Sequence, residues 1–109
     1  MAQNNTVKSL KDTIIDASLR LASEESWAAI TFDQIILASQ YDLSDVQEYF
    51  DDKTDILVSY GRRVDARLFK EVPSILSEDM NEREKIFDIL MERFDIINED
   101  RAAILSILD

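Results

Sequence analysis

At 109 residues the chain has room for one domain with a modest core. It holds a single Gly and a single Pro, Gly61 and Pro73, which excludes a sheet protein with Gly- and Pro-rich turns and predicts an all-α chain with short polar connections. A formal net charge of -11 excludes a broad basic footprint, so any contact with a polyanion must fall to a local patch.

Residues 1–7 are polar and read as a disordered N-terminal tail. From Lys8 the apolar residues Leu10, Ile14, Ala17 and Leu21 recur at spacings of three and four, widened by Ile15, Leu19 and Ala22, which predicts an amphipathic first helix ending near Ser23 to Ser26. Trp27-Ala-Ala-Ile30 is an apolar connector expected to tuck into the core. Thr31-Phe-Asp-Gln34 has the spacing of a capping box and opens a short second helix through Ile35, Ile36 and Ala38. A break is expected near Gln40 and Tyr41. Asp42 then reads as the N-cap of a third helix whose apolar side is Leu43, Val46, Tyr49 and Phe50. Asp51 or Asp52 caps a longer fourth helix with Ile56, Leu57, Tyr60, Val64 and Leu68 on one face, and Pro73 is expected to mark its end. A fifth helix is predicted from about Asn81 to Ile97, its stripe formed by Ile86, Phe87, Leu90, Met91, Phe94 and Ile97. The last segment, Ala102 to Leu108, is almost wholly apolar and must be buried on all sides, inside this domain, by more chain or by a partner. The expectation is a chain that continues beyond Asp109.

Three features are specific. Ile14-Ile-Asp-Ala-Ser-Leu-Arg-Leu-Ala22 is followed nine residues later by Thr31-Phe-Asp-Gln-Ile35; Tyr49-Phe50 precedes Lys53 and Ile56-Leu57; and the distance from Thr31 to Tyr49 suits a three-helix head. Together they resemble the N-terminal signature of TetR-type transcriptional regulators, over Lys11 to about Leu68. The segment Phe87 to Asp95 resembles the opening of that family's regulatory half. The resemblance implies a helix-turn-helix head over 8–51, then a linking helix and the start of a helical regulatory and dimerisation half over 52–109, with the remainder of that half absent. It also implies transcription regulation, double-stranded DNA as a partner and a homodimer formed through the C-terminal half. On the family's pattern Thr31, Tyr49 and Lys53 match phosphate contacts, while Leu43, Ser44, Asp45, Gln47 and Glu48 fall where base edges are read. Gln47 suits adenine, and Asp45 or Glu48 suits cytosine N4.

The chain departs from that pattern in two ways. Gln40 stands in the turn where the family usually has Gly, at a cost of about 1 kcal/mol if the backbone there needs a positive φ; a second Gly, usual between the first and second helices, is replaced near Ser26. From Tyr41 to Asp55 the acids are Asp42, Asp45, Glu48, Asp51, Asp52 and Asp55, against the single base Lys53. DNA affinity comes mainly from Lys and Arg neutralising phosphates, so this stretch predicts weak or lost binding. The bland readings are that Thr31 is a cap in any fold, Tyr49 and Phe50 are core and rim, and Lys53 is a surface lysine.

A second resemblance carries the alternative. Gly61-Arg-Arg-Val-Asp-Ala-Arg67 and Arg93-Phe-Asp95 are similar to stretches of the TetR-like lipid-binding accessory proteins of ubiquinone biosynthesis, which implies an apolar ligand and no nucleic acid. Phe87, Met91 and Phe94 are the expected members of such a pocket, with plain core as the bland reading. A third reading is an adaptor or dimerising module.

No catalytic residue, cofactor or metal is predicted, and the chain is not expected to be an enzyme. It has no His and no Cys, which removes the commonest general base, the thiol nucleophile and the usual zinc ligands. Adjacent acids such as Asp51-Asp52 and Glu24-Glu25 read as solvated. The sequence has no apolar run of membrane-spanning length, and Met1 to Thr6 lacks the regions of a signal peptide, so a cytoplasmic location is the expectation.

Overall fold

Apolar residues at helical spacing wind the first segment into α1 (Thr6–Glu24), and every residue of its expected face from Leu10 to Ala22 is buried except the half-buried Leu21. The computed structural model describes residues 6–109, which form six α-helices and contain no strand. The tail expected over 1–7 lies outside the described residues up to Asn5, while Thr6 and Val7 already belong to α1.

A single 3-10 turn at Trp27–Ala29 leads from α1 to α2 (Phe32–Ser39) and drops Ile30 into the core. The α2 N-terminus is closed by the expected capping box: the Gln34 N–H donates to Thr31 Oγ1 at 3.1 Å, and the Thr31 N–H donates to Gln34 Oε1 at 2.8 Å. α3 (Leu43–Gln47) is a helix of five residues that buries Val46 and delivers Phe50, 1% exposed, to the core just beyond it.

α4 (Lys53–Ile75) begins where Asp52 accepts the Asp55 N–H at 3.1 Å, which selects Asp52 over Asp51 as the cap. Its buried face is Ile56, Tyr60, Val64 and Leu68. The expected stop at Pro73 is corrected: the helix runs on to Ile75 and closes with the Leu76 N–H bonded to Val72 O at 3.1 Å. Proline lacks an N–H and forfeits one helical bond, but its fixed φ suits the helix, so near the end the loss is small enough for two more residues to stay helical.

α5 (Glu82–Asn98) starts at a second capping box, Asn81 with Glu84. α6 (Arg101–Leu108) follows after a two-residue corner, Glu99 and Asp100. α1 lies at the centre, packed by α2, α4 and α6, and α4 carries α5 on its other side. The α5–α6 corner is tied down by paired polar groups. The Arg67 guanidinium donates to both carboxylate oxygens of Glu99 at 2.7 Å each, and the Tyr60 hydroxyl donates to Asp100 Oδ2 at 3.0 Å.

The orientation of α5 overturns an expectation. Its buried residue is Ile96, with Ile89 and Ile97 half-buried, while Ile86, Phe87, Leu90, Met91 and Phe94 are exposed. The stripe read from the sequence as core or pocket therefore faces outward. α6 likewise buries Ala103 against α1 and leaves Leu105 and Leu108 exposed, so it is packed on one side only. The consequence is an extended body. The radius of gyration is 16.3 Å, against about 13 Å for a compact domain of about 100 residues.

Candidate nucleic-acid interface

The break between α2 and α3 depends on one backbone choice. Gln40 has φ 68 and ψ 13 and is the one non-glycine residue with positive φ among those described. The turn thus keeps the left-handed geometry expected of a glycine position, with Gln bearing the strain. Ser39 supports it: its hydroxyl, buried, donates to Ile36 O at 2.7 Å and accepts the Tyr41 N–H at 3.2 Å. Two backbone groups left over at the end of α2 and in the break are satisfied by one side chain.

Beyond the break, Leu43, Ser44, Asp45, Gln47 and Glu48 are all exposed. The residues expected to read base edges therefore share the free surface of α3 and its C-terminal end. Thr31 is also exposed, but its hydroxyl already serves as the α2 cap. Tyr49 is half-buried against the core, and the Lys11 ammonium lies 5.2 Å from its ring centroid. Lys11 was not singled out in the sequence. It belongs to α1, far along the chain from Tyr49, and no local motif joins the two.

Lys53 is not a free surface lysine. Its ammonium turns inward and donates to Trp27 O at 2.7 Å and Ile30 O at 2.6 Å, with the Trp27 ring centroid 4.7 Å away. The first residue of α4 thereby clasps both ends of the 3-10 turn. Across the turn, Ser106 of α6 accepts the Trp27 N–H at 3.0 Å and donates to Glu25 O at 2.9 Å. This junction of α1, α4 and α6 has no signature in local sequence.

The electrostatics follow. Asp42, Asp45, Glu48, Asp51 and Asp52 are exposed around α3. Asp52 and Asp55 are partly used by the start of α4, where Asp55 Oδ2 accepts the Asp51 N–H at 2.6 Å. Asp42 makes no side-chain cap bond. With the Lys53 ammonium bonded to backbone carbonyls, the stretch from Tyr41 to Asp55 presents carboxylates and no outward cation. Arg63 bridges to Asp12 and Asp16 at 3.4 and 3.0 Å, and Arg67 to Glu71 and Glu99. These arginines of α4 brace α1 and the α5–α6 corner.

The expected pocket residues separate. Phe94 lines a groove of about 350 Å³ together with Ile97, Ile104, Leu105 and Leu108, between α5 and α6. Phe87 and Met91 stand on the outer face of α5, 60% and 44% exposed. Among the described residues no group of His, Cys, Asp and Glu is placed to hold a metal ion, and no helix is long and apolar enough to cross a membrane.

No family model matches the chain, and no curated protein or solved structure matches it.

Proposed function

We propose that the chain is a TetR-type helix-turn-helix domain that contacts duplex DNA weakly, as part of a transcriptional regulator. The observation that carries this reading is the left-handed Gln40 between two short helices, directly after a Thr31 capping box and before an exposed α3 face. A left-handed residue closes many helices in any fold; what is particular here is its place between two short helices, the second of them exposed. The same strain is natural where a short helix must be turned outward for recognition. Gln47 and Ser44 supply groups for base edges, and Asp45 or Glu48 accepts from cytosine N4. Thr31, Tyr49 and Lys11 form the side that meets phosphates. Lys53 braces the fold beneath them.

The affinity that follows is low, because few cations face the duplex and several carboxylates must be desolvated or held away. The test is fluorescence anisotropy with mixed genomic duplexes, from low salt upward. The expected result is binding at low salt that fades steeply, with a dissociation constant no tighter than about 1 µM near physiological salt. No binding even at low salt overturns the reading.

One observation favours a second reading. With Lys53 turned inward, the α3 face carries carboxylates and no outward cation, as it would in a TetR-like protein that keeps the helix-turn-helix as a scaffold and binds lipid or quinone precursors instead. A co-purified lipid seen by native mass spectrometry, together with no DNA binding, selects it.

A further inference from the structure

α6 is fastened unequally along its length. Its start is pinned. The Arg67 guanidinium holds both carboxylate oxygens of Glu99 at 2.7 Å each, and the buried Tyr60 donates its hydroxyl to Asp100 Oδ2 at 3.0 Å. Its body is shallow. Ala103 is buried, Ile104 and Ile107 are half-buried against the core, and Leu105 and Leu108 are exposed. With eight residues α6 is shorter than the about 12–15 that hold a helix in water, so it is helical because it lies on α1.

The far end is held to the head by one hydroxyl. Ser106 Oγ accepts the Trp27 N–H at 3.0 Å and donates to Glu25 O at 2.9 Å, so a single side chain serves a donor and an acceptor on the chain leaving α1. Glu25 is exposed and Trp27 half-buried, and water replaces part of what Ser106 gives when it leaves. What lies beneath keeps its place without it. Lys53 holds Trp27 O and Ile30 O, and Ile30 is sunk in the core. That core belongs to α1–α4: among the described residues only Ile96 and Ala103 of the buried apolar set lie beyond Leu68.

We propose that α6 is a strap that lifts off α1 as a unit, pivoting on the pinned Glu99–Asp100 corner while α1–α4 stay folded, and that Ser106 is its catch. Segments with few buried apolar contacts open at a fraction of the global unfolding free energy, and α6 is such a segment. Closed, the strap fixes the 3-10 turn through the Trp27 N–H; open, it leaves Trp27 to Lys53 alone. The inference rests on neither reading of function, since the strap moves whether or not α3 meets DNA.

The test uses the full chain. Trp27 is its single Trp and is bonded to the catch, so Trp fluorescence reports the opening directly. In a urea titration, acrylamide quenching of Trp27 is expected to rise before the main loss of helical far-UV circular dichroism. Coincident transitions overturn the proposal. Ser106→Ala removes the catch and should raise the open fraction about fivefold, the effect of one ordinary hydrogen bond. It should move the quenching transition to lower urea and leave the main loss of circular dichroism in place. A common shift of both transitions would make α6 part of one cooperative unit and overturns the strap. Hydrogen exchange on the unaltered chain gives a second reading. Amides of α6 should exchange through an opening that depends little on urea, and those of Ile14 and Ile35, fully buried in the head, through global unfolding. Equal protection and equal urea dependence in both places overturn the proposal.

Discussion

Replacing Lys53 with Met keeps most of the apolar stem and deletes the ammonium that holds the 3-10 turn. Three interactions go with it: the bonds to Trp27 O and Ile30 O at 2.7 and 2.6 Å, and the cation over the Trp27 ring. A hydrogen bond from a charged donor contributes about 1.5–3 kcal/mol when buried. Here the discount is large. Lys53 is half-exposed, water can reach the carbonyls it leaves, and Trp27 O retains the Ile30 N–H at 3.1 Å. About 2 kcal/mol for the bonds and roughly 0.5 kcal/mol for the ring contact is the expected loss. A loss of that size lowers the folded-to-unfolded ratio by more than about tenfold and Tm by roughly 10 °C.

Urea unfolding followed by far-UV circular dichroism measures it, with Lys70→Met, at an exposed position of the same helix, as the control. The midpoint should fall for Lys53→Met and not for Lys70→Met, with an unchanged slope. A difference of less than about 0.5 kcal/mol between the two variants, the usual scatter of surface substitutions, refutes the reasoning. The same variant tests the role of Lys53 toward DNA. A lysine on a phosphate, once removed, reduces the salt slope of binding by about 1, whereas a brace leaves the slope alone. The brace predicts an unchanged slope.

Gln40→Gly should stabilise the chain by about 1 kcal/mol, because glycine takes the left-handed backbone without strain, and Gln40→Val should cost more than that; thermal unfolding separates them. Thr31→Ala should cost about 1 kcal/mol by opening the capping box, whatever its effect on DNA, and Thr31→Ser should restore most of it. Burial, and then the bond to Asp100, push the Tyr60 hydroxyl well above its ordinary value of 10.0. A raised pKa means that the folded chain holds this proton more tightly than the unfolded one. The stability it contributes is full below pH 10.0 and is lost as pH rises through the folded value. Tyrosinate absorbance should therefore show a late phase coincident with alkaline unfolding, and Tyr60→Phe should abolish that phase.

What the sequence made legible is what local physics decides. Leu10 to Ala22 has one apolar face, so its packing follows from periodicity. Thr31 and Gln34 sit at capping-box spacing, and the box forms. Gln40 falls between two short helices, and the backbone there is left-handed. α5 is different because it carries apolar residues on two faces. Ile89 and Ile96 face one way, Ile86, Phe87, Leu90, Met91 and Phe94 another, and periodicity cannot rank two stripes. The tertiary fit against α4 chose the smaller one, with an exposed salt bridge from Arg93 to Asp65 at 2.7 Å beside it. At the candidate interface the exposed row on α3 was legible, but the direction of Lys53 was not. A lysine at a helix start says nothing about carbonyls of Trp27 and Ile30 on a turn earlier in the chain.

The 3-10 turn is held from both α4 and α6. The Trp27 N–H is held by Ser106 of α6, and the Trp27 carbonyl is held by Lys53 of α4. One residue therefore couples the last helix to the helix that follows α3. If the turn acts as a single unit, loosening it from one side leaves less for the other side to hold, and the two losses overlap. Ser106→Ala alone should cost about 1 kcal/mol, since the Trp27 N–H and Glu25 O are only partly able to find water. Combined with Lys53→Met, the total should fall short of the sum by more than about 0.5 kcal/mol, the limit within which independent sites add. Additivity within that limit would mean that Ser106 and Lys53 secure the turn separately and that α6 has no mechanical hold on α4 through Trp27. A shortfall would mean that whatever displaces α6 is felt at the start of α4, one residue beyond the acids that border the exposed face of α3.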